Sequence, residues 1–415
     1  MNCANRTTQK LVKAVNGERL WDRHLALARI GATAGGGVRR LALGELDHQA
    51  RRHMAAWAGE RGYAVSLDPI GNLFIRREGA LRGAAPVLTG SHLDTQPSGG
   101  RFDGAFGVLA GCEVLQALDD AGVHTRRPIE VVSWANEEGC RFPPGGMGSA
   151  CFAQPELLAQ WLACTDTAGL SVAEELRRLP ELPRRPLGAD VHAYVEAHIE
   201  QGPLLEREQA SIGIVSGIQG CRDFSLAVRG AEGHAGTTPL AGRRDALRCA
   251  VGLLDALYRL AEASDEATRL TVGELQVLPN SSSVIPGEVR LAIDFRHPSN
   301  EALREIGDRV LALCRAHAGV CEVDVRETRW REPIAFPSAL QALVQAAADR
   351  QGLRSLVLPS GANHDAGYLH RVCPAGMLFV PCAGGLSHNE RESAEPQDLH
   401  RGTQVLAEVM LALAE

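Results

Sequence analysis

The chain has 415 residues, 45% of them hydrophobic and 22% charged, with a formal net charge of -7. That length favours two domains over a single core, and the balance is that of a globular chain with no sign of disorder. The mildly acidic charge argues against the clustered basic face of a nucleic-acid binder. In chain order, hydrophobic periodicity predicts a helix over 41–61, a strand over 86–90, a helix over 105–121, and strands over 129–134 and 193–199. Strands separated by helices imply a mostly parallel sheet covered by helices.

Between 214 and 327 the rhythm changes. It reads strand (223–229), helix (243–261), two strands (271–278 and 288–296), helix (301–318) and strand (321–325). That order suits a small domain with a four-stranded antiparallel sheet and two helices on one face, inserted into the larger one. The first pattern then resumes, with a helix over 338–351, strands over 355–358 and 377–380, and a final helix over 396–414. The expected fold class is therefore α/β. A discontinuous catalytic domain (1–213 and 328–415) is interrupted by an α+β, ferredoxin-like domain (214–327).

No stretch approaches the ~20 uninterrupted apolar residues of a membrane helix, and the N-terminus has no signal-peptide pattern. The eleven cysteines stand singly, without a CxxC pair, as reduced thiols would. A cytoplasmic enzyme with a small-molecule partner is expected, with neither nucleic acid nor membrane.

Four patches fall at expected C-terminal strand ends, where open α/β sheets build their sites. The first joins His92 and Asp94 to Asp103. A histidine leaving a strand can bind metal through one ring nitrogen while a nearby carboxylate orients the other, and Asp103, opening the next helix, could bridge two cations. The second holds Glu137 and Glu138, adjacent carboxylates that point in different directions, so one could bind metal and the other handle protons. The third is His198, Ile199, Glu200 and Gln201, and the fourth is Ser387, His388 and Asn389. Such nitrogen and oxygen donors suit zinc, manganese, cobalt or nickel better than calcium or magnesium.

These phrases, GSHLDT (90–95), GRFDG (100–104), ANEEGCRF (135–142), HIEQGP (198–203), GHAGTTP (233–239), PNSSSVIPG (279–287), DFRHPS (294–299), SGANHDA (360–366) and GLSHNE (385–390), resemble the hydantoinase/carbamoylase branch of the M20 amidohydrolases over nearly the whole chain. That branch holds N-carbamoyl-L-amino acid hydrolases, β-ureidopropionases and allantoate amidohydrolases. The resemblance implies two divalent metals per subunit bridged by Asp103, with His92 and His198 on one and Glu138 and His388 on the other. It implies Glu137 as the base, with Asp94 and His234 also among the catalytic groups. Gln201, His234, Asn280, Arg296 and His364 would line the substrate pocket, Arg296 with Asn280 holding a carboxylate. The inserted domain would be a lid and dimerisation domain, His234 reaching the oxyanion from the partner of a homodimer.

The reaction so implied is metal-dependent hydrolysis of the ureido C–N bond of N-carbamoyl-amino acids to amino acid, carbon dioxide and ammonia. Allantoate hydrolysis is the nearest rival, and an M20 exopeptidase is disfavoured by His198, where such peptidases usually carry a carboxylate. A metal-dependent binding protein descended from an enzyme is the rival of a different class. SGANHDA departs from the pattern at Asn363, where Gly is more common, and Cys140 stands where Ser is.

Overall fold

The computed structural model describes residues 3–179, 181–317 and 319–415. Ala318, the expected end of one helix, lies outside them. By contact density the chain divides into a larger unit, Met1–Ser216 with Phe336–Glu415, and a smaller one, Gly217–Ala335. In chain order the larger unit begins with strands β1 (Ala64–Leu67), β2 (Leu73–Arg77), β3 (Val87–His92), β4 (Ile129–Trp134), β5 (Ala193–Ile199) and β6 (Ile212–Ile218). The smaller unit supplies β7 (Gly220–Arg229), β8 (Gly233–His234), β9 (Arg269–Leu278), β10 (Val284–Ile285), β11 (Glu288–His297), β12 (Glu322–Arg331) and β13 (Ile334–Ala335). The chain then returns with β14 (Ser355–Ser360) and β15 (Ala375–Val380).

The large sheet has the order β1-β2-β4-β3-β5-β15-β6-β13, with β14 paired to β6. Its centre, β4-β3-β5-β15, is parallel, but β1 and β2 on one side and β6 on the other are antiparallel. The sheet is thus mixed where a mostly parallel one was expected. Strands joined by tight turns, as β1 is to β2, pair antiparallel, because a parallel partner needs a crossover of a dozen residues or more. Every residue of β3, β4, β5 and β15 is buried. The helices Ala105–Asp120 and Pro396–Ala414 pack there through Phe106, Val108, Leu109, Leu115, Leu406 and Met410, which are closed to solvent. Strand β6, whose segment the periodicity assigned to the insert, instead pairs with β15 in this sheet.

The smaller unit has the antiparallel order β12-β7-β11-β9, with the helices Ala246–Glu262 and Asn300–Ala316. Asp245 and Ser299 cap these helices by accepting from Arg248 N and Ala302 N, the usual N-cap arrangement. Phe224, Leu226, Val228, Leu253, Leu257, Val289 and Val310 form its own core. The unit runs beyond the expected boundary at 327 because β12 continues to Arg331, pairing with Cys221. The charged run from 326 to 331 hid that extension. No helix among the described residues is long and apolar enough to cross a membrane, and no disulfide joins the described cysteines.

Candidate metal-binding active site

Because β4, β3, β5 and β15 run the same way, their C-terminal ends share one edge of the sheet, and the patches follow those ends. His92 is the last residue of β3 and pairs in register with Trp134, the last of β4; His198 pairs with Phe379 of β15. The His92 and His198 rings lie 6.1 Å apart. Between β3 and its helix, Gly104 adopts a φ of 64°, and a Cβ there would come within 2.4 Å of the His92 ring. Only glycine allows Asp103 to come this close.

Asp103 is the hub. Its Oδ1 is 3.1 Å from His198 Nε2 and 3.7 Å from His92 Nε2. Its Oδ2 is 3.3 Å from His388 Nε2, which is 3.5 Å from Glu138 Oε2. His92, Asp103 and His198 offer donor atoms within 4.8 Å of one another, as do Asp103, Glu138 and His388. Glu137 belongs to neither set, yet its Oε2 stands 3.6 Å from His92 Nε2. Gln201 Nε2 donates to Asp103 Oδ2 at 3.0 Å. The His364 ring lies 4.6 Å from that of His198, and Glu196, His198 and His364 form a third cluster of donors.

Asp94 does not do what its spacing suggested. The Nδ1 of His92 meets the main-chain oxygen of Asp94, at 2.9 Å, and the Asp94 carboxylate turns the other way. It accepts from the backbone N–H of Glu137 (3.2 Å) and Glu138 (3.1 Å). The peptide oxygen is nearer the ring, and the two N–H groups at the end of β4 would otherwise be unpaired. Asp94 therefore orients the glutamate pair.

Asn136, Gln201 and His388 all hold left-handed backbone, with φ of 53°, 56° and 52°. Residues other than glycine adopt it seldom, and such strain gathers at functional sites. Asn136 is secured by Nδ2 donating to Phe142 O at 2.7 Å. Behind it, Asn72 accepts from Ala135 N through Oδ1 at 2.9 Å and donates to Gly148 O at 3.0 Å. Sequence reasoning missed Asn72, Gln96 and Glu392. Gln96 donates to Glu138 through both its backbone (3.1 Å) and its side chain (2.6 Å), and Glu392 accepts from the backbone of Phe102 and Asp103. Only the clustering of Gln96 behind HLDT carries any sequence signal.

Asp94, Asp103, Glu196, Asp365 and Glu392 are all buried. Among the described residues none forms an ion pair with arginine or lysine; the histidines at Asp103 are the only partners. One oxygen of Asp365 has no hydrogen-bond partner. Burying this much negative charge is costly without cations, so the donor chemistry fits bound divalent ions.

Burial would raise the Asp103 carboxyl, but hydrogen bonds from His198 and His388 hold it well below the carboxylate range. Burial also opposes charge on His198, yet the bond to Asp103 wins and its pKa rises to about 9. His388 reaches about 9 chiefly through its bond to Asp103. Burial, then Asp365 and Glu138, push Glu137 well above its ordinary value. Burial, then Asp103, bring Glu138 to about 7.

The remaining expected residues lie in the smaller unit. His234 is exposed in β8, its Nδ1 accepting from Gly236 N at 3.0 Å. Asn280 follows β9 with a φ of 58°. It belongs to the same loop cluster as His234, since Val284 pairs with His234 and Ala235 N donates to Ser283 O. Arg296 stands at the far end of β11, in register with Arg269, whereas Leu278 pairs with Glu288. At about 3.4 Å per residue, roughly 27 Å of strand separates the two ends. Asn280 and Arg296 of one chain thus stand too far apart to hold one small carboxylate together. A strand's length is invisible to motif matching. The Arg296 fork is engaged by Asp294, with both contacts at 2.8 Å.

The chain matches peptidase family M20/M25/M40 over residues 88–412. It is 37% identical over 408 residues to an N-carbamoyl-L-amino-acid amidohydrolase of Rhizobium meliloti, covering 97% of this chain and 98% of that protein. It is 32% identical over 396 residues to an allantoate amidohydrolase of Bacillus subtilis (strain 168), with 94% and 95% covered. Its fold superposes with a TM-score of 0.91 on the crystal structure of an amidase of the hydantoinase/carbamoylase family from Burkholderia multivorans. The two are 44% identical, with 96% of this chain and 98% of that one covered.

Proposed function

Since this chain belongs to the hydantoinase/carbamoylase amidases of peptidase family M20/M25/M40, we propose that it hydrolyses the ureido C–N bond of N-carbamoyl-amino acids. The observation that carries this reading is the pair of donor sets sharing Asp103, with Glu137 unshared beside them. His92, Asp103 and His198 would hold one divalent ion, and Asp103, Glu138 and His388 a second; zinc, manganese, cobalt or nickel suits these donors. Bound there, such ions acidify water and polarise the substrate carbonyl.

Glu137 takes the proton of the attacking water and returns it to the departing nitrogen. Asp94 keeps that carboxylate aimed through the backbone N–H groups of Glu137 and Glu138. One C–N bond of the ureido group breaks, and the carbamic acid left decomposes to carbon dioxide and the second amine. Gln201 and His364 line the pocket around the reacting group.

The smaller unit serves as lid and dimerisation domain, and its closure excludes water. Arg296 grips the substrate carboxylate, a task suited to a planar fork of donors. His234 and Asn280 come from the second copy of a homodimer, which the separation along β11 supports. There His234 steadies the oxyanion. The enzyme works in the cytoplasm, in keeping with the free thiols at Cys112, Cys140 and the other cysteines up to Cys382.

Allantoate hydrolysis is the second reading, supported by the Bacillus subtilis relative. Assays of N-carbamoyl-L-amino acids, N-carbamoyl-β-alanine, allantoate and unblocked dipeptides, on protein loaded with each metal in turn, decide. Highest kcat/KM on an N-carbamoyl-amino acid is expected. Preference for allantoate would replace the substrate, and preference for dipeptides would overturn the ureido reading.

A further inference from the structure

A buried carboxylate outside both donor sets joins the loops that deliver Asp103 and His388. Glu392 is 1% exposed. Its Oε1 accepts from the backbone N–H of Phe102 at 2.9 Å and of Asp103 at 3.1 Å. Its Oε2 accepts from Ser387 Oγ at 2.8 Å, and that hydroxyl also lies 3.4 Å from Asp103 Oδ2. The neighbouring backbone makes room for it. A Cβ on Gly100 would lie 2.0 Å from the Glu392 carboxyl carbon, and one on Gly37 would lie 2.6 Å from Glu390 Cα. Three remote segments, around 37, 100 and 390, close on one another, with glycine where the Glu390 and Glu392 residues pass.

The two donor sets differ in what holds them. His92 ends β3 and His198 is the last residue but one of β5, so the sheet fixes them. His388 comes from a loop in left-handed backbone, with its side chain 51% exposed, and no strand sets its distance from Asp103. Glu392 spans that gap directly, through Ser387 on one side and the Asp103 peptide on the other.

We propose that Glu392 is a positioning residue that holds Asp103 and His388 at the separation a cation needs in the Asp103–Glu138–His388 set. This rests on the reading of that set as a metal pocket. Loss of Glu392 loosens that pocket more than the other, because Asp103 is shared by both but His92 and His198 are held by β3 and β5 while His388 has no strand behind it. Groups that orient metal ligands are typically worth about 10–100-fold in affinity.

The test is Mn2+ and Zn2+ titration of the full-length protein against a chromophoric chelator, with melting temperatures in chelator and in metal. Wild type is expected to bind two cations per chain. Glu392→Ala should keep the tighter one and bind the other about 10–100-fold more weakly. Glu392→Gln retains an acceptor for the two N–H groups and should recover most of the loss. With metal chelated, the Ala variant and wild type should melt within a few degrees of each other, the gap opening in metal. If wild type binds fewer than two cations, the pocket reading fails and the proposal falls with it. If wild type binds two and Glu392→Ala binds both as tightly, only the positioning role is overturned. A Gln variant as weak as Ala would mean that charge, not position, is what Glu392 supplies. Should the Ala variant not fold, Ser387→Ala replaces it; unchanged affinity for the second cation would then refute the strut.

Discussion

Glu137→Gln isolates the proton-handling step. The change keeps the side chain's shape, and both anchors of its surroundings survive: the Glu137 N–H still meets Asp94 Oδ1, and neither donor set contains Glu137. Metal content and KM should therefore be close to those of wild type, with the loss concentrated in kcat. A positioned general base is typically worth about 10²–10⁴-fold, or roughly 3–5.5 kcal/mol of barrier. The pH profile adds a second signature. Burial together with Asp365 and Glu138 raises the Glu137 carboxyl well above its ordinary value, so the base form fills as pH rises, and wild-type kcat/KM should climb on its acid side. In the Gln variant that limb should vanish. Steady-state kinetics between about pH 5 and 9, with metal quantified in the same samples, provide the check. A variant with full metal and kcat within tenfold of wild type would refute the assignment of Glu137 as base.

Four further outcomes are expected. Asp94→Ala should lower kcat more than it alters metal content, because it releases the N–H groups of both glutamates; a measured kcat at the wild-type level would remove its positioning role. In chelator the protein should lose stability as pH rises from about 6.5 to 9. The folded-state pKa of His198 is raised to about 9, so its contribution is complete below 6.5 and disappears as pH passes 9, on the order of 3 kcal/mol. Denaturant melts that are flat or rising over this window would contradict it. Arg296→Ala should raise KM for carboxylate-bearing substrates about tenfold or more, as a lost charged bond of at least ~1.4 kcal/mol would; an unchanged KM would put the carboxylate elsewhere. At substrate concentrations below KM, mixed dimers of His234→Ala with Arg296→Ala should be more active than either homodimer, since one of their two sites would carry both residues. Mixtures no more active than their components would mean that both residues serve from one chain.

Local pattern revealed the central strands of the large sheet, the order of elements in the smaller unit and the glycine-flanked phrases at strand ends. These are properties of short segments: a run of apolar residues buried on both faces, or a backbone conformation that only glycine takes easily. From them the residues His92, Asp103, Glu138, His198 and His388 could be named as candidates, and parallel strand direction explains why such ends meet. Which atoms face each other was not legible. The Asp94 carboxylate turning to the glutamate backbone, the antiparallel flanks of the sheet and the distance along β11 between Asn280 and Arg296 depend on register and on chain direction. Glu392 shows the limit most clearly, because it acts on Asp103 from almost three hundred residues away. A carboxylate in a polar run reads as a solvated side chain until the fold buries it and gives it three donors, and that burial is decided by tertiary packing alone.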